Sequence, residues 1–570
     1  MPDGPLIVQS DKTVLLEVDH PDATEARHAL ASFAELERAP EHVHTYRITN
    51  LGLWNARAAG VDAERVLDVL LTHSRYPVPH ALLVDIDDTM SRYGRLRLEN
   101  DPVHGLVLRT DDHPVLEEVL HARKTADMFG PRIDGRTVVV HVASRGQLKQ
   151  ALLRLGWPAE DAAGYVDGTP YPIGLTEVPE TGELADGEYP DGDAVDTVPR
   201  EPWRLRPYQR MAVENFWAGG SGVVVLPCGA GKTLVGAGAM ATAGATTLIL
   251  VTNTVSARQW KAELLRRTTL TETEIGEYSG AVKEVRPVTI ATYQVLTAKR
   301  GGIYPHLELV NDHDWGLIIY DEVHLLPAPI FRLTADLQAR RRLGLTATLV
   351  REDGRESEVF SLIGPKRYDA PWKDIEAQGY IAPAECIEVR VELPRDERVA
   401  YAMAEDADRY RLCSTSEVKL PVVRSILGRH PGEQVLVIGQ YLDQLEELGE
   451  LLEAPVLTGS TPVAERQRLF GAFRDGEIGV LVVSKVANFS IDLPEASVAV
   501  QVSGAYGSRQ EEAQRLGRLL RPKEDGKSAH FYTVVSRDTL DQDYAQKRQR
   551  FLAEQGYAYT ILDAADLAQP

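Results

Sequence analysis

Two short stretches carry groups that could handle phosphate and move a proton. In Leu226-Pro227-Cys228-Gly229-Ala230-Gly231-Lys232-Thr233, two glycines precede a lysine and a hydroxyl. The apolar run Gly222-Val223-Val224-Val225 leads into it, and small residues from Leu234 to Ala241 follow. Strand, glycine turn and helix is the context in which such a loop cradles a polyphosphate. Gly229 and Gly231 let backbone N–H groups approach phosphate oxygens, and the helix N-terminus adds its positive end. Lys232 would reach the β- and γ-phosphates, and the Thr233 hydroxyl would sit on Mg²⁺. Leu226 stands where the general pattern has its first glycine. The competing reading is a glycine turn in a parallel-sheet protein that binds nothing.

The second stretch, Leu317-Ile318-Ile319-Tyr320-Asp321-Glu322-Val323-His324, is an apolar strand ending in adjacent carboxylates. Asp321 can meet Mg²⁺ directly or through water, while Glu322 orients and deprotonates an attacking water. An Asp-Glu pair after a strand is by itself usually a solvated strand end. Behind a phosphate loop in the same sheet, it points to ATP hydrolysis.

Both stretches need a sheet to hold them. Apolar runs at 223–226, 247–251, 288–291, 317–320 and 343–346 alternate with helical patterns. Strands buried on both faces and separated by helices indicate a parallel sheet. A second set follows Pro371, at 434–438, 455–457, 480–483, 498–502 and 530–535. The expected fold class is therefore α/β, with two tandem parallel-sheet motor lobes preceded by α+β domains. The divisions are an N-terminal domain at 1–130, a small domain at 131–176, a linker at 177–200, and lobes at 201–370 and 371–570.

In the N-terminal part, Val66, Leu67, Leu70 and Leu71 recur at helical spacing, as do Leu82, Leu83, Ile86 and Met90. These helices followed by Gly94-Arg95-Leu96-Arg97-Leu98 could form a winged-helix unit. Asp85, Asp87 and Asp88 on the third helix would repel phosphate, so a domain that packs on protein is favoured. In the small domain, the strand Thr137-Val138-Val139-Val140-His141-Val142 precedes a helix at 144–155. The linker carries Glu177, Glu180, Glu183, Asp186, Glu188, Asp191, Asp193 and Asp196 with no lysine or arginine among them. It reads as a solvated spacer.

A chain of 570 residues is too long for one core. Its three cysteines, Cys228, Cys386 and Cys413, have no metal-ligand spacing, which suits a reducing compartment. No signal-peptide pattern or membrane-length apolar run is visible, so no membrane partner and a cytoplasmic, nucleoid-associated protein are expected. The net charge of −22 opposes a broadly basic nucleic-acid surface, and any DNA path must be local.

The order of motifs resembles that of superfamily-two helicases, and the details resemble the XPB-type DNA repair helicases. Leu205-Arg206-Pro207-Tyr208-Gln209 looks like the family's Q-motif, and residues 226–233 match the family's phosphate loop, Leu226 included. Asp321-Glu322-Val323-His324 and Leu345-Thr346-Ala347-Thr348 match motifs II and III, and Arg351-Glu352-Asp353 matches the RED motif. Gln514-Arg515-Leu516-Gly517-Arg518-Leu519-Leu520-Arg521 matches motif VI. The likeness reaches His42-Val43-His44-Thr45-Tyr46 near the N-terminus, so it covers nearly the whole chain.

The resemblance implies an ATP-dependent 3′–5′ DNA helicase in nucleotide excision repair or transcription-linked work, using ATP and Mg²⁺. It places Arg206 and Gln209 at the adenine and Gln514 at the γ-phosphate. His324 would couple the motif II strand to that region, and Asp492 would face nucleotide. Arg518 and Arg521 would be arginine fingers from the second lobe. DNA contacts are implied at Thr252, Asn253 and Thr254 with Gln259 and Trp260, at Thr292 and Tyr293, and at Gly459, Ser484 and Lys485. Arg351, Glu352 and Asp353 would act in strand separation.

The partner would be forked or tailed duplex DNA, with a repair nuclease or transcription machinery as a further associate. The family's basic thumb should fall near 396–420, where Glu397, Glu405, Asp406 and Asp408 stand among Arg398, Arg409 and Arg411. A duplex-DNA translocase that unwinds weakly is thus one alternative. A repair scaffold with an ATP-driven conformational switch is another.

Overall fold

Among the described residues the strands form four sheets. This computed structural model describes residues 4–38, 42–177, 203–227, 229–300, 304–306, 313–338, 340–347, 356–370, 372–378, 383–484, 496–504, 528–554, 557 and 559–567. The chain divides into two compact units. One holds residues 1–91, 226–230 and 370–570; the other holds 92–225 and 231–369.

In the first unit, β1 (Leu6–Val8), β2 (Thr13–Glu17), β3 (Ala34–Arg38) and β4 (Val43–Ile48) form an antiparallel sheet in the order β1-β2-β4-β3. Helices α1 (Ala23–Leu30), α2 (Asn50–Ala58), α3 (Ala63–His73) and α4 (His80–Arg92) share one core with it. The periodic positions explain why. Val66 and Leu70 of α3, and Leu82, Ile86 and Met90 of α4, are buried, whereas Leu71 is exposed. Asp62 caps α3, its Oδ1 accepting the Arg65 N–H at 2.9 Å.

The second unit opens with β5 (Leu96–Asp101), β6 (Gly105–Arg109), β7 (Phe129–Arg132), β8 (Thr137–Val140) and β9 (Ala159–Asp161), ordered β7-β8-β6-β5-β9. The expected boundary between 130 and 131 cuts through this sheet, because β6 pairs with β8 and β5 with β9. The hairpin β5–β6 shares its core with α5 (His113–His121) and α6 (Arg145–Arg154). Helices α2–α4 pack on the β1–β4 sheet, so the hairpin is not the wing of their domain. Periodicity locates such a hairpin but not the core it joins.

This small sheet is fixed to the lobe after it by buried charge. Arg145 Nη2 donates to Asp161 Oδ1 at 2.6 Å, and Lys149 Nζ donates to Asp161 Oδ2 and to Gln338 Oε1, each at 2.9 Å. Burial would raise Asp161, but Lys149 and Arg145 outweigh it and hold the carboxyl well below its usual range.

The lobe itself is a seven-stranded parallel sheet. Its strands are β10 (Gly222–Val225), β11 (Thr247–Val251), β12 (Ile275–Tyr278), β13 (Val288–Thr292), β14 (Leu317–Asp321), β15 (Arg341–Thr346) and β16 (Lys366–Asp369), ordered β12-β13-β11-β14-β15-β10-β16. Helices α7 (Pro207–Gly219), α8 (Lys232–Ala243) and α9 (Thr254–Arg267) cover it. The first unit contains the second such sheet, also parallel throughout. It comprises β17 (Ala384–Val391), β18 (Val435–Gly439), β19 (Val456–Leu457), β20 (Val480–Ser484), β21 (Val498–Gln501), β22 (Ala529–Ser536) and β23 (Tyr559–Asp563), ordered β19-β20-β18-β21-β22-β17-β23. The two-lobe α/β architecture is as expected.

Candidate active site

Strand β10 runs out at Val225, and the chain turns through Gly229 (φ 82°) and Gly231 (φ 76°) into α8. Gly231 is required by its backbone. Its backbone is left-handed, and a Cβ there would lie 2.4 Å from Gln209 Nε2. Gln209 is 1% exposed at the start of α7, where its Oε1 accepts the Arg206 N–H at 2.9 Å. The Q-motif glutamine is thus packed against the phosphate loop, while the Arg206 guanidinium donates to the Tyr208 hydroxyl at 3.1 Å. Thr233 follows Lys232 in the first turn of α8, half-buried.

Lys232 Nζ donates to Glu322 Oε1 at 2.9 Å, which joins the loop to the end of β14. Glu322 has φ 51°, a left-handed backbone without the excuse of glycine. Such a residue costs on the order of 1–3 kcal/mol and persists where its surroundings insist on it. His324 Nδ1 lies 3.5 Å from Glu322 Oε2, and the same nitrogen is hydrogen-bonded to the Thr346 hydroxyl at 2.6 Å. Lys232, Glu322, His324 and Thr346 therefore form a continuous polar chain from the phosphate loop to motif III.

The two carboxyls are driven apart. Burial, then the neighbouring Glu322 charge, pushes Asp321 up to about 6. Burial would raise Glu322 too, but Lys232 and then His324 outweigh it and hold it below its usual value. Glu322 is thus the one held ionised, as a proton acceptor must be.

The raised Asp321 has a consequence for stability. Its ionised form is disfavoured in the folded chain, at no cost below about pH 4 and at full cost above about pH 6. Asp321→Asn is therefore expected to end ATP turnover yet to melt no lower than the parent at pH 8. Any gain should shrink towards pH 4. Thermal melts across pH, with ATPase alongside, check this, and a variant that melts lower at pH 8 contradicts it.

Asp321 is positioned from three sides. Trp260 Nε1 donates to Oδ2 at 2.9 Å, the Glu322 N–H to Oδ1 at 3.1 Å, and the Tyr293 hydroxyl to the backbone oxygen at 2.9 Å. The structure gives Trp260 and Tyr293, expected at DNA, contacts with the motif II strand. Trp260 is 2% exposed and Tyr293 4% exposed, so both rings serve the motif II strand and cannot meet a nucleic-acid strand. The Thr292 side chain is likewise buried, capping the short helix Tyr293–Leu296. Reading motif Ia and Tyr293 by position alone missed this role. The signal that could have found it is Gly236 in α8, a gap in an apolar helix where a large ring can sit.

Thr252 and Asn253 stand half-buried after β11, and Asn253 caps α9, its Oδ1 accepting the Ser256 N–H at 2.9 Å. In the second lobe Gly459 is exposed in a turn, whereas Ser484 is 2% exposed and its hydroxyl lies inside the lobe. Cys228, Arg351, Glu352, Asp353, Lys485, Asp492, Gln514, Arg518 and Arg521 lie outside the described residues.

Thr233 and Asp321 offer hard oxygen donors of the type Mg²⁺ prefers, and adjacent buried carboxyls favour a cation beside them. No cluster of three or more potential metal-binding side chains occurs among the described residues. No helix among the described residues is long and apolar enough to cross a membrane.

The family model for the ERCC3/RAD25/XPB C-terminal helicase matches residues 375–569. The model for type III restriction enzyme, res subunit, matches 203–351, and that for a helicase conserved C-terminal domain matches 6–134. The protein named DNA 3′-5′ helicase XPB from Kineococcus radiotolerans is 72% identical over 567 residues, covering 100% of this chain and 98% of its own. Its namesake from Mycobacterium tuberculosis is 68% identical over 570 residues, 100% of both chains. The general transcription and DNA repair factor IIH helicase/translocase subunit XPB/SSL2 of Saccharomyces cerevisiae is 32% identical over 607 residues, covering 98% of this chain and 72% of that one.

Proposed function

The chain belongs to the XPB family of DNA helicases, and on that footing we propose how its residues perform ATP-dependent 3′–5′ DNA unwinding. The observation that carries the reading is the polar chain from Lys232 through Glu322 and His324 to Thr346. It gives a loop for phosphate, an ionised base beside it, and a mechanical link to motif III. Lys232 binds the β- and γ-phosphates, and Glu322 takes the proton of the attacking water. Thr233 and Asp321 would hold Mg²⁺, which would supply positive charge against the phosphates. The family resemblance assigns Arg206 and Gln209 to the adenine, Gln514 to the γ-phosphate, Arg518 and Arg521 to the arginine-finger role, and Asp492 to the nucleotide.

On the DNA side, Thr252 and Asn253 offer hydroxyl and amide groups, and Gly459 offers backbone. Such contacts position a strand without reading its sequence. Arg351, Glu352 and Asp353 act where strands part. The setting is repair or transcription at the nucleoid, in the cytoplasm, with a nuclease or transcription factor as associate.

One observation favours a translocase with weak unwinding. In the expected thumb, Lys419 is fully buried, donating to Asp541 at 2.6 Å and to the Val502 and Val534 carbonyls. Arg409 donates to the Ala404 carbonyl, and Arg411 is paired with Asp443. With Glu397, Glu405, Asp406 and Asp408 in the same segment, the arginines there do not make a strongly basic grip for duplex.

Forked duplexes with 3′ or 5′ tails separate the readings. The helicase unwinds the 3′-tailed fork, and alanines at Arg351, Glu352 and Asp353 should reduce unwinding far more than DNA-stimulated ATPase. ATPase without strand separation on either fork supports the translocase, and unwinding from 5′ tails alone refutes the polarity.

A further inference from the structure

Two places on helix α9, its start and its middle, bear on one reaction. At its start, Asn253 Nδ2 donates to Thr252 Oγ1 at 3.2 Å, and Asn253 caps the helix. Seven positions on, about 10 Å along the axis at 1.5 Å per residue, Trp260 donates its indole N–H to Asp321 Oδ2 at 2.9 Å. The ring is wedged against α8, the helix that begins with Lys232. A Cβ added to Gly236 would lie 2.4 Å from Trp260 Cη2. Indole nitrogen is a donor only, so this bond cannot be exchanged for another role. A hydrogen bond weakens steeply as its angle closes. A small shift of α9 would therefore strain this bond and the carboxylate it orients.

We propose that Trp260 is a positioning residue that couples strand binding at Thr252 and Asn253 to the orientation of Asp321. DNA held at the start of α9 biases the helix, and the indole carries that bias to the carboxylate and so to the metal–phosphate site. The coupling rests on the strand-contact reading of Thr252 and Asn253. It adds a route by which DNA stimulates hydrolysis, and by reciprocity nucleotide must alter DNA affinity through the same bond.

The test uses the full chain and Trp260→Phe, which keeps the ring and removes the donor. DNA-stimulated over DNA-free ATPase is measured together with anisotropy of labelled tailed duplex, with and without a non-hydrolysable ATP analogue and Mg²⁺. The expected result is a loss of about fivefold or more in stimulation. The shift in DNA affinity on adding nucleotide should collapse as well, while nucleotide-free DNA affinity stays near the parent's. Parental stimulation and a parental affinity shift overturn the proposal. If the variant does not fold, Gly236→Ala, which pushes the ring while keeping the donor, must show the same loss of linkage, and parental linkage there overturns it equally. Thr252→Ala with Asn253→Ala separates the two claims, since parental DNA affinity in that variant refutes the strand-contact reading itself.

Discussion

Glu322→Gln is expected to leave ATP bound and stop its hydrolysis, lowering kcat by about 10²–10⁴, the range for removal of a general base. Glutamine keeps an oxygen that can accept from Lys232 Nζ, so the loop remains anchored to the strand. What goes is the charge that Lys232 and His324 hold ionised. The same charge helps raise Asp321, so the variant should also bring the Asp321 carboxyl down. Nucleotide binding by fluorescence titration, with ATPase on the same DNA, checks both parts. Turnover within a few-fold of the parent would remove Glu322 as base.

Arg518→Ala should cost still more. An arginine finger contributes on the order of 10³–10⁵ in rate, about 4–7 kcal/mol of transition-state stabilisation. Its planar fork spans phosphate oxygens in a way an ammonium cannot, so Arg518→Lys should restore little. Because the finger serves the transition state, kcat should fall while KM for ATP changes modestly. Parental turnover in Arg518→Ala would move the role to Arg521 or elsewhere.

Much of the framework could be read without coordinates, for a physical reason. Strands buried on both faces of a parallel sheet are continuous apolar runs, so β11, β14, β18 and β20 stand out in the chain. In the two lobes, the apolar runs leave out four strands: β12, β16, β17 and β23. Three are sheet edges, where one side needs no partner, and β16 reads Lys-Arg-Tyr-Asp. The fourth, β17, buries Glu388, which accepts from Arg390 Nε at 2.6 Å and from Gln549. A glutamate inside a sheet is intelligible only once its donors are known.

By itself the sequence determined the two lobes, the phosphate loop, the motif II carboxylates and the family, because each depends on local residue order. Tertiary structure decided which carboxylate is ionised, since that depends on burial, on Lys232 coming from elsewhere in the lobe and on the way His324 turns back towards Glu322. It also decided that residues 96–161 share one sheet, and that Tyr293 and Trp260 face Asp321 rather than DNA. Neither pattern nor spacing encodes which way a ring turns. The packing of α8 against α9, with Gly236 opening room for the indole, settles it.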